Sequence, residues 1–177
     1  MTSKESNTTA INLRKPVKDD GFGLSQLVME CPPLDPNSIY CNLLQCSDFA
    51  DTAVAAEKDS DLVGFISGYV PPQKPETVFV WQVAVHKKGR GQGLAKRMLK
   101  AIVARQELSH ISHMETTITA DNDVSWALFR SFARDMGAEL TFQEHFTKDV
   151  HFGGQHGSEM LLRIGPFTKP GGARMLE

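Results

Sequence analysis

Apolar residues follow two periods along this chain: short runs that alternate or are nearly continuous, and longer stretches with one every third or fourth position. Thr77-Val78-Phe79-Val80-Trp81-Gln82-Val83-Ala84-Val85 is rich in β-branched and aromatic residues and lacks Gly and Pro, so it predicts a buried strand. Leu94, Met98, Leu99, Ile102 and Val103 then recur at helical spacing, which predicts a helix over 91–107. Upstream, Ile11-Asn12-Leu13-Arg14 begins an alternating strand that Pro16 stops. Asp19-Asp20-Gly21 reads as a turn or cap, and Leu24, Leu27 and Val28 give the segment after it a helical apolar face. Pro32-Pro33 breaks that helix, and Asp35-Pro36-Asn37 starts another with Ile39, Leu43 and Leu44 facing inward.

Residues 52–57 and 62–69 read as a hairpin closed by Lys58-Asp59-Ser60-Asp61. Residues 114–119 form a further strand. Asp121 or Asn122 caps a helix whose Val124, Leu128, Phe132 and Met136 lie one turn apart, and Gly137 ends it. Residues 140–146 and 159–164 close the sheet as two strands joined by 151–157. The order is β-α-α-β-β-β-α-β-α-β-β, a single α/β domain over residues 9–166. Residues 1–8 are expected to be disordered and 167–177 to form a flexible tail.

The 177 residues are enough for one domain with a sizeable core, and 41% hydrophobic and 23% charged residues are ordinary for a globular protein. A net charge of −2 provides no field to recruit nucleic acid or an anionic membrane. No apolar run reaches the roughly 18 residues of a membrane span and the N-terminus shows no signal-peptide core; a cytoplasmic protein is expected. Cys31, Cys41 and Cys46 are an odd number without metal-like spacing and are read as buried thiols. The histidines likewise show no metal-ligand spacing, so no metal is expected.

The chemistry is concentrated where the central strand meets the following helix, at Lys87-Lys88-Gly89-Arg90-Gly91-Gln92-Gly93-Leu94-Ala95-Lys96. Glycines at such a joint let backbone N–H groups converge beside the positive end of the helix dipole, a geometry that binds phosphate oxygens. Lys87, Lys88, Arg90 and Lys96 stand close by in sequence. The P-loop string G-x-x-x-x-G-K-[ST] is absent, and Lys96 stands where a dinucleotide fingerprint needs its third glycine. The pattern left is [RQ]-x-x-G-x-[GA], matched by Arg90-Gly91-Gln92-Gly93-Leu94-Ala95; the plain alternative is a Gly-rich turn that only reverses the chain.

This loop, after a strand ending Val83-Ala84-Val85, resembles the acyl-CoA pyrophosphate loop of the GNAT N-acetyltransferases. The resemblance implies a central, mixed and mostly antiparallel sheet flanked by helices, with acetyl-CoA as co-substrate. Thr119-Ala120-Asp121-Asn122-Asp123-Val124-Ser125-Trp126-Ala127-Leu128-Phe129 resembles the family segment that holds the far end of CoA. The cofactor set it implies is Val83, Ala84, Val85, Arg90, Gly91, Gln92, Gly93, Leu94, Ala95, Asn122, Ser125 and Phe129. Many members carry Tyr where Phe129 stands and use it to protonate the leaving thiolate. Phe cannot donate a proton, so an acid comes from elsewhere or CoA leaves as thiolate.

Three longer strings, at 33–40, 78–85 and 115–122, resemble a branch of that family that acetylates the γ-amine of L-2,4-diaminobutyrate in ectoine biosynthesis. An amine attacks a thioester without a Ser or Cys nucleophile. The site then needs a base, oxyanion donors near Val83 and Ala84, and carboxylates around the substrate's ammonium groups. Candidates are Asp35, Glu115 and Glu159 for the amines and Ser38, Tyr40 or His156 for hydrogen bonds, with Trp81 as a pocket wall facing an ammonium. Tyr40, Glu115 and the Val83 N–H are the expected catalytic groups. Each side chain also has a plain reading: Asp35 as a helix cap, Tyr40 as rim or core, Trp81 as core, Glu115 as a solvated strand residue. The resemblance favours a homodimer. Two alternatives are an acetyltransferase for protein lysines or N-termini and a catalytically silent CoA sensor.

Overall fold

The computed structural model of the chain describes residues 10–167. In chain order the elements are β1 (Asn12–Arg14), α1 (Gly21–Met29), α2 (Ile39–Cys46), β2 (Val54–Lys58), β3 (Asp61–Tyr69), β4 (Thr77–Val85) and α3 (Leu94–Val103). They continue with β5 (His113–Thr119), α4 (Asp123–Asp135), β6 (Leu140–Phe146), α5 (Lys148–Phe152) and β7 (Glu159–Ile164). The strands form one sheet in the order β1-β2-β3-β4-β5-β7-β6. Every neighbouring pair is antiparallel except β4 and β5. The mixed, mostly antiparallel sheet expected from the sequence is therefore present.

Helices α3 and α4 cover one face, burying Leu94, Met98, Leu99 and Ile102 against Ala56, Val78, Val80, Met114 and Leu162. A Cβ at Gly64 would sit 3.1 Å from Met98 Cε and 3.2 Å from Leu94 Cδ2, so this glycine lets the start of α3 seat on the sheet. On the other face α1 and α2 bury Leu24, Leu27, Val28, Cys31 and Cys46 against Ala55, Phe65 and Ala84.

Several boundaries and faces differ from the sequence reading. Helix α3 starts only after Gly93, because Gly91 and Gly93 both have positive φ. Ser38, and not Asp35, caps α2 by accepting from Cys41 N at 3.0 Å, since Asn37 with φ 55° is already turned out of the helix. Ile39 and Leu43 point to solvent, while Asn42, Gln45 and Cys46 are buried. The reason is α1, whose Ser25 Oγ accepts from Asn42 Nδ2 at 2.7 Å and turns the polar face inward. In α4 the exposed Val124 falls outside the buried row, which is Trp126, Phe129, Phe132 and Ala133. The connection at 151–157 contains the end of α5. Phe167, assigned above to the tail, is packed edge-on against Phe132 at 5.8 Å and donates to Ser112 O at 2.8 Å. The other expected tail residues and residues 1–8 lie outside the described residues.

Cys31 and Cys46 are buried and Cys41 is half-buried, all three as free thiols. Burial pushes the Cys46 thiol up to about 12 and raises that of Cys31, so both are kept protonated and unreactive. Among the described residues no helix is long and apolar enough to cross a membrane.

Candidate active site

The parallel ladder between β4 and β5 spans only Thr77–Phe79 against His113–Glu115. Thr116 Oγ1 then donates to Val80 O at 3.0 Å, and beyond it β4 pairs only with β3 and β5 only with β7. The two strands diverge into a wedge. At its start β4 carries a bulge, because Ser67 pairs with Gln82 and Gly68 with Val80, leaving Trp81 as the extra residue. Val85 O accepts from Arg90 Nε at 3.1 Å, so Val85 presents its polar groups away from β3. Strand alternation puts Val83 on that same edge, with its N–H facing the wedge. Ala84 has its side chain in the α1 core, and the same alternation turns its backbone groups to β3, where it pairs with Phe65, so it offers the wedge neither.

At the end of β4 a 3-10 turn over Lys87–Gly89 leads to Gly91 at φ 75° and Gly93 at φ 64°. A Cβ at either glycine would meet nothing within 4 Å, which leaves open space in front of the loop. The first helical hydrogen bond runs from Arg97 N to Gly93 O at 3.1 Å, so the amides of Leu94, Ala95 and Lys96 have no intrahelical acceptor and are free for an anion in that space. The open cradle, the free amides and the nearby cations fit a pyrophosphate. Not all of those cations are free, however. Lys88 pairs with Asp61 at 3.2 Å, and Lys96 with Asp135 at 3.0 Å and Ser131 Oγ at 3.0 Å. Gln92 folds back onto Lys88 O.

Three cofactor candidates change role. The Leu94 side chain is buried in the core, so only its amide is available. Asn122 Oδ1 accepts from Ser125 N at 3.1 Å and caps α4. Phe129 is 2% exposed with its ring inside the core, which removes it as a cofactor contact. Its apolar character follows from that burial, since a core ring needs no hydroxyl.

The acceptor side has two banks. On the β4 bank, Gln82 Nε2 donates to Asp35 O at 2.9 Å and accepts from Asn37 Nδ2 at 3.1 Å, pinning the proline-rich segment beside the bulge. This sets the Asp35 backbone against Gln82, the residue that follows Trp81. The Asp35 carboxylate makes no hydrogen bond or ion pair among the described residues. Trp81 is 48% exposed and stands edge-on to Tyr69 at 6.5 Å, with Phe79 and Phe49 also against Tyr69. Ser38 Oγ is spent on the α2 cap, and Tyr40, 71% exposed, projects from the first turn of that helix. The β5–β7 bank carries Glu159, paired with Thr119 at the open end of the wedge, and His156, held by Gly157 O at 2.8 Å and tilted at 48° against the Phe152 ring at 4.7 Å. Among the described residues no hydrogen bond, ion pair or ring contact joins these side chains across the banks. Gln82 and Asn37 escaped the sequence reading; the only signal was an amide in an otherwise apolar strand.

Glu115 departs most from expectation. It is 3% exposed, and its oxygens accept from Lys74 Nζ at 2.8 and 3.0 Å and from Arg163 Nη1 at 2.6 Å. Burial pushes its pKa up, but the hydrogen bonds and charges of Lys74 and Arg163 outweigh that and hold it below the usual carboxylate value. A carboxylate so occupied is neither a general base nor a direct ammonium ligand, and both assignments are withdrawn.

The model of the acetyltransferase (GNAT) family matches residues 23–133. An L-2,4-diaminobutyric acid acetyltransferase of Methylotuvimicrobium alcaliphilum is 54% identical over 157 residues, 89% of this chain and 91% of that protein. Another, from Halomonas elongata, is 50% identical over 88% of this chain and 81% of its own length. The chain belongs to the GNAT acetyltransferase family, among the diaminobutyric acid acetyltransferases. A solved structure of diaminobutyrate acetyltransferase EctA from Paenibacillus lautus, in complex with L-2,4-diaminobutyric acid and coenzyme A, superposes with a TM-score of 0.86 at 36% identity. It covers 93% of this chain and 99% of that one. As a family member the protein is an acetyl-CoA-dependent N-acetyltransferase.

Proposed function

We infer that the protein transfers the acetyl group of acetyl-CoA to the γ-amine of L-2,4-diaminobutyrate, giving N4-acetyl-L-2,4-diaminobutyrate for ectoine biosynthesis. The observation that carries this is the near full-length match to an enzyme whose structure holds both diaminobutyrate and CoA. The wedge adds a physical basis. Loop amides from Gly91 to Ala95 hold the pyrophosphate, and the Val83 N–H faces the carbonyl oxygen as charge develops on it. The γ-amine, once neutral, attacks the thioester carbon; the tetrahedral adduct collapses and expels CoA as thiolate or, with a proton supplied, as thiol. Tyr40 is the candidate donor. Asp35 and Trp81 on one bank, and Glu159 with His156 on the other, receive the ammonium groups. With Glu115 committed to its cations, Asp35 and Glu159 are the carboxylates left to relay the amine's proton. We place the enzyme in the cytoplasm, in keeping with its free thiols. A homodimer accounts for the exposed Phe22, Met29, Ile39 and Leu43 on α1 and α2.

An acetyl-CoA turnover assay with and without diaminobutyrate tests the reading: release of CoA is expected only when the diamine is present. Asp35→Asn keeps the size and removes the charge, so KM for diaminobutyrate should rise about tenfold, the worth of one charge-assisted hydrogen bond. KM for acetyl-CoA should not move, and an unchanged diamine KM would take Asp35 out of the site. Tyr40→Phe should lower kcat by roughly 10²-fold if its hydroxyl protonates the thiolate. A near-normal kcat assigns the proton elsewhere.

A further inference from the structure

One charged cluster has no part in the mechanism above. A cavity of about 450 Å³ opens on the sheet face opposite α3 and α4, lined by Lys74, Glu115, Thr141, Gln143, Leu161 and Arg163. Register places it on the acceptor side. Tyr69 pairs with Phe79, Phe79 with Glu115, Glu115 with Arg163 and Arg163 with Thr141, so this row shares one face with Tyr69.

Glu115 forms the floor. Over it the Lys74 and Arg163 side chains remain 46% and 40% exposed. Arg163 spends Nη1 on Glu115 at 2.6 Å and Thr77 Oγ1 at 3.4 Å, while its Nε and Nη2 meet no acceptor among the described residues. The cluster thus has a charge of +1, two cations fixed by a buried acid, and guanidinium donors to spare beside a cavity. Such an arrangement suits one carboxylate.

We propose that Lys74 and Arg163, oriented by Glu115, hold the α-carboxylate of the acceptor amino acid and so select its γ-amine over its α-amine; this rests on the diaminobutyrate reading. Four bonds of about 1.5 Å separate the γ-nitrogen of the diamine from its carboxylate carbon, an extended reach of about 5 Å. The α-nitrogen is only two bonds from that carbon, so with the carboxylate anchored it falls short of the thioester by about 2.5 Å.

The test compares kcat/KM for diaminobutyrate with that for 1,3-diaminopropane, the same diamine without its carboxylate, in wild type, Lys74→Met and Arg163→Gln. Both substrates are measured on one preparation, so any loss of folded protein cancels in the ratio. If Arg163→Gln does not fold, the half-exposed Lys74 still supplies the variant. Wild type should favour diaminobutyrate by roughly a hundredfold, and each variant should cut that preference about tenfold, one charge-assisted hydrogen bond apiece. NMR of the product should show a growing share of the α-acetyl isomer. A preference that persists in the variants, or a parallel fall for both substrates, overturns the proposal. A wild type that binds CoA but does not acetylate diaminobutyrate overturns the substrate reading itself, and the proposal with it.

Discussion

Alanine at both Gly91 and Gly93 should lower CoA affinity by at least about a hundredfold in a protein that still folds. The two glycines sit at φ 75° and 64°, where an L-residue is strained by about 1–2 kcal/mol. Relaxing to negative φ would swing the loop amides away from their common point. Keeping the conformation would instead plant two methyl groups in the open space before the loop. Either way the pyrophosphate loses donors or room, and two charge-assisted hydrogen bonds at roughly 1.5–3 kcal/mol each exceed a hundredfold in binding. The fold should survive, because neither Cβ meets protein and the strain is a fraction of a typical stability of about 5–15 kcal/mol. Proline is the worse probe, since its fixed negative φ is incompatible with both positions and would disturb the start of α3. Calorimetric titration with CoA beside a thermal melt measures both quantities. Unchanged affinity in the folded variant would show that the loop does not hold the cofactor.

That loop was legible because its determinants are local. Strand Thr77–Val85, the glycines after it and the row from Leu94 to Val103 all lie within one stretch of chain, and each works through its immediate neighbours. Where the sequence misled, the deciding partner was distant. Helix α2 shows Ile39 and Leu43 as its apolar row, yet it turns Asn42 inward because Ser25, 17 residues earlier, supplies the hydrogen bond. The cap that was the plain alternative for Asp35 falls to Ser38, while Gln82, 47 residues on, takes the Asp35 carbonyl and makes the segment one wall of the acceptor side. In α4 the row through Val124 and Leu128 matches a helical period as well as the row that is buried; only packing against Phe142 and the sheet chooses between them.

Glu115 is the sharpest instance, and its replacement by glutamine carries the largest stability effect expected here. As a general base it would give, on Glu115→Gln, a large fall in kcat with little change in melting temperature. Its partners, 41 and 48 residues away, predict otherwise. Removing one member of a buried ion pair typically costs about 3–5 kcal/mol. Lys74 and Arg163 remain nearly half exposed and partly solvated, so about 2–3 kcal/mol is the expected loss at pH 7. For a domain of this size that lowers Tm by about 4–12 °C. The pH dependence follows from the depressed pKa. A carboxyl with a folded pKa below its unfolded one stabilises fully above the unfolded value of about 4.3 and loses that stabilisation as pH falls toward the folded value. The gap in Tm between wild type and variant should therefore be constant from pH 8 to about 5 and narrow below about 4.3. Equal melting temperatures at neutral pH, together with a kcat drop of about 10²-fold, would return Glu115 to the role of base and remove the carboxylate anchor built on it.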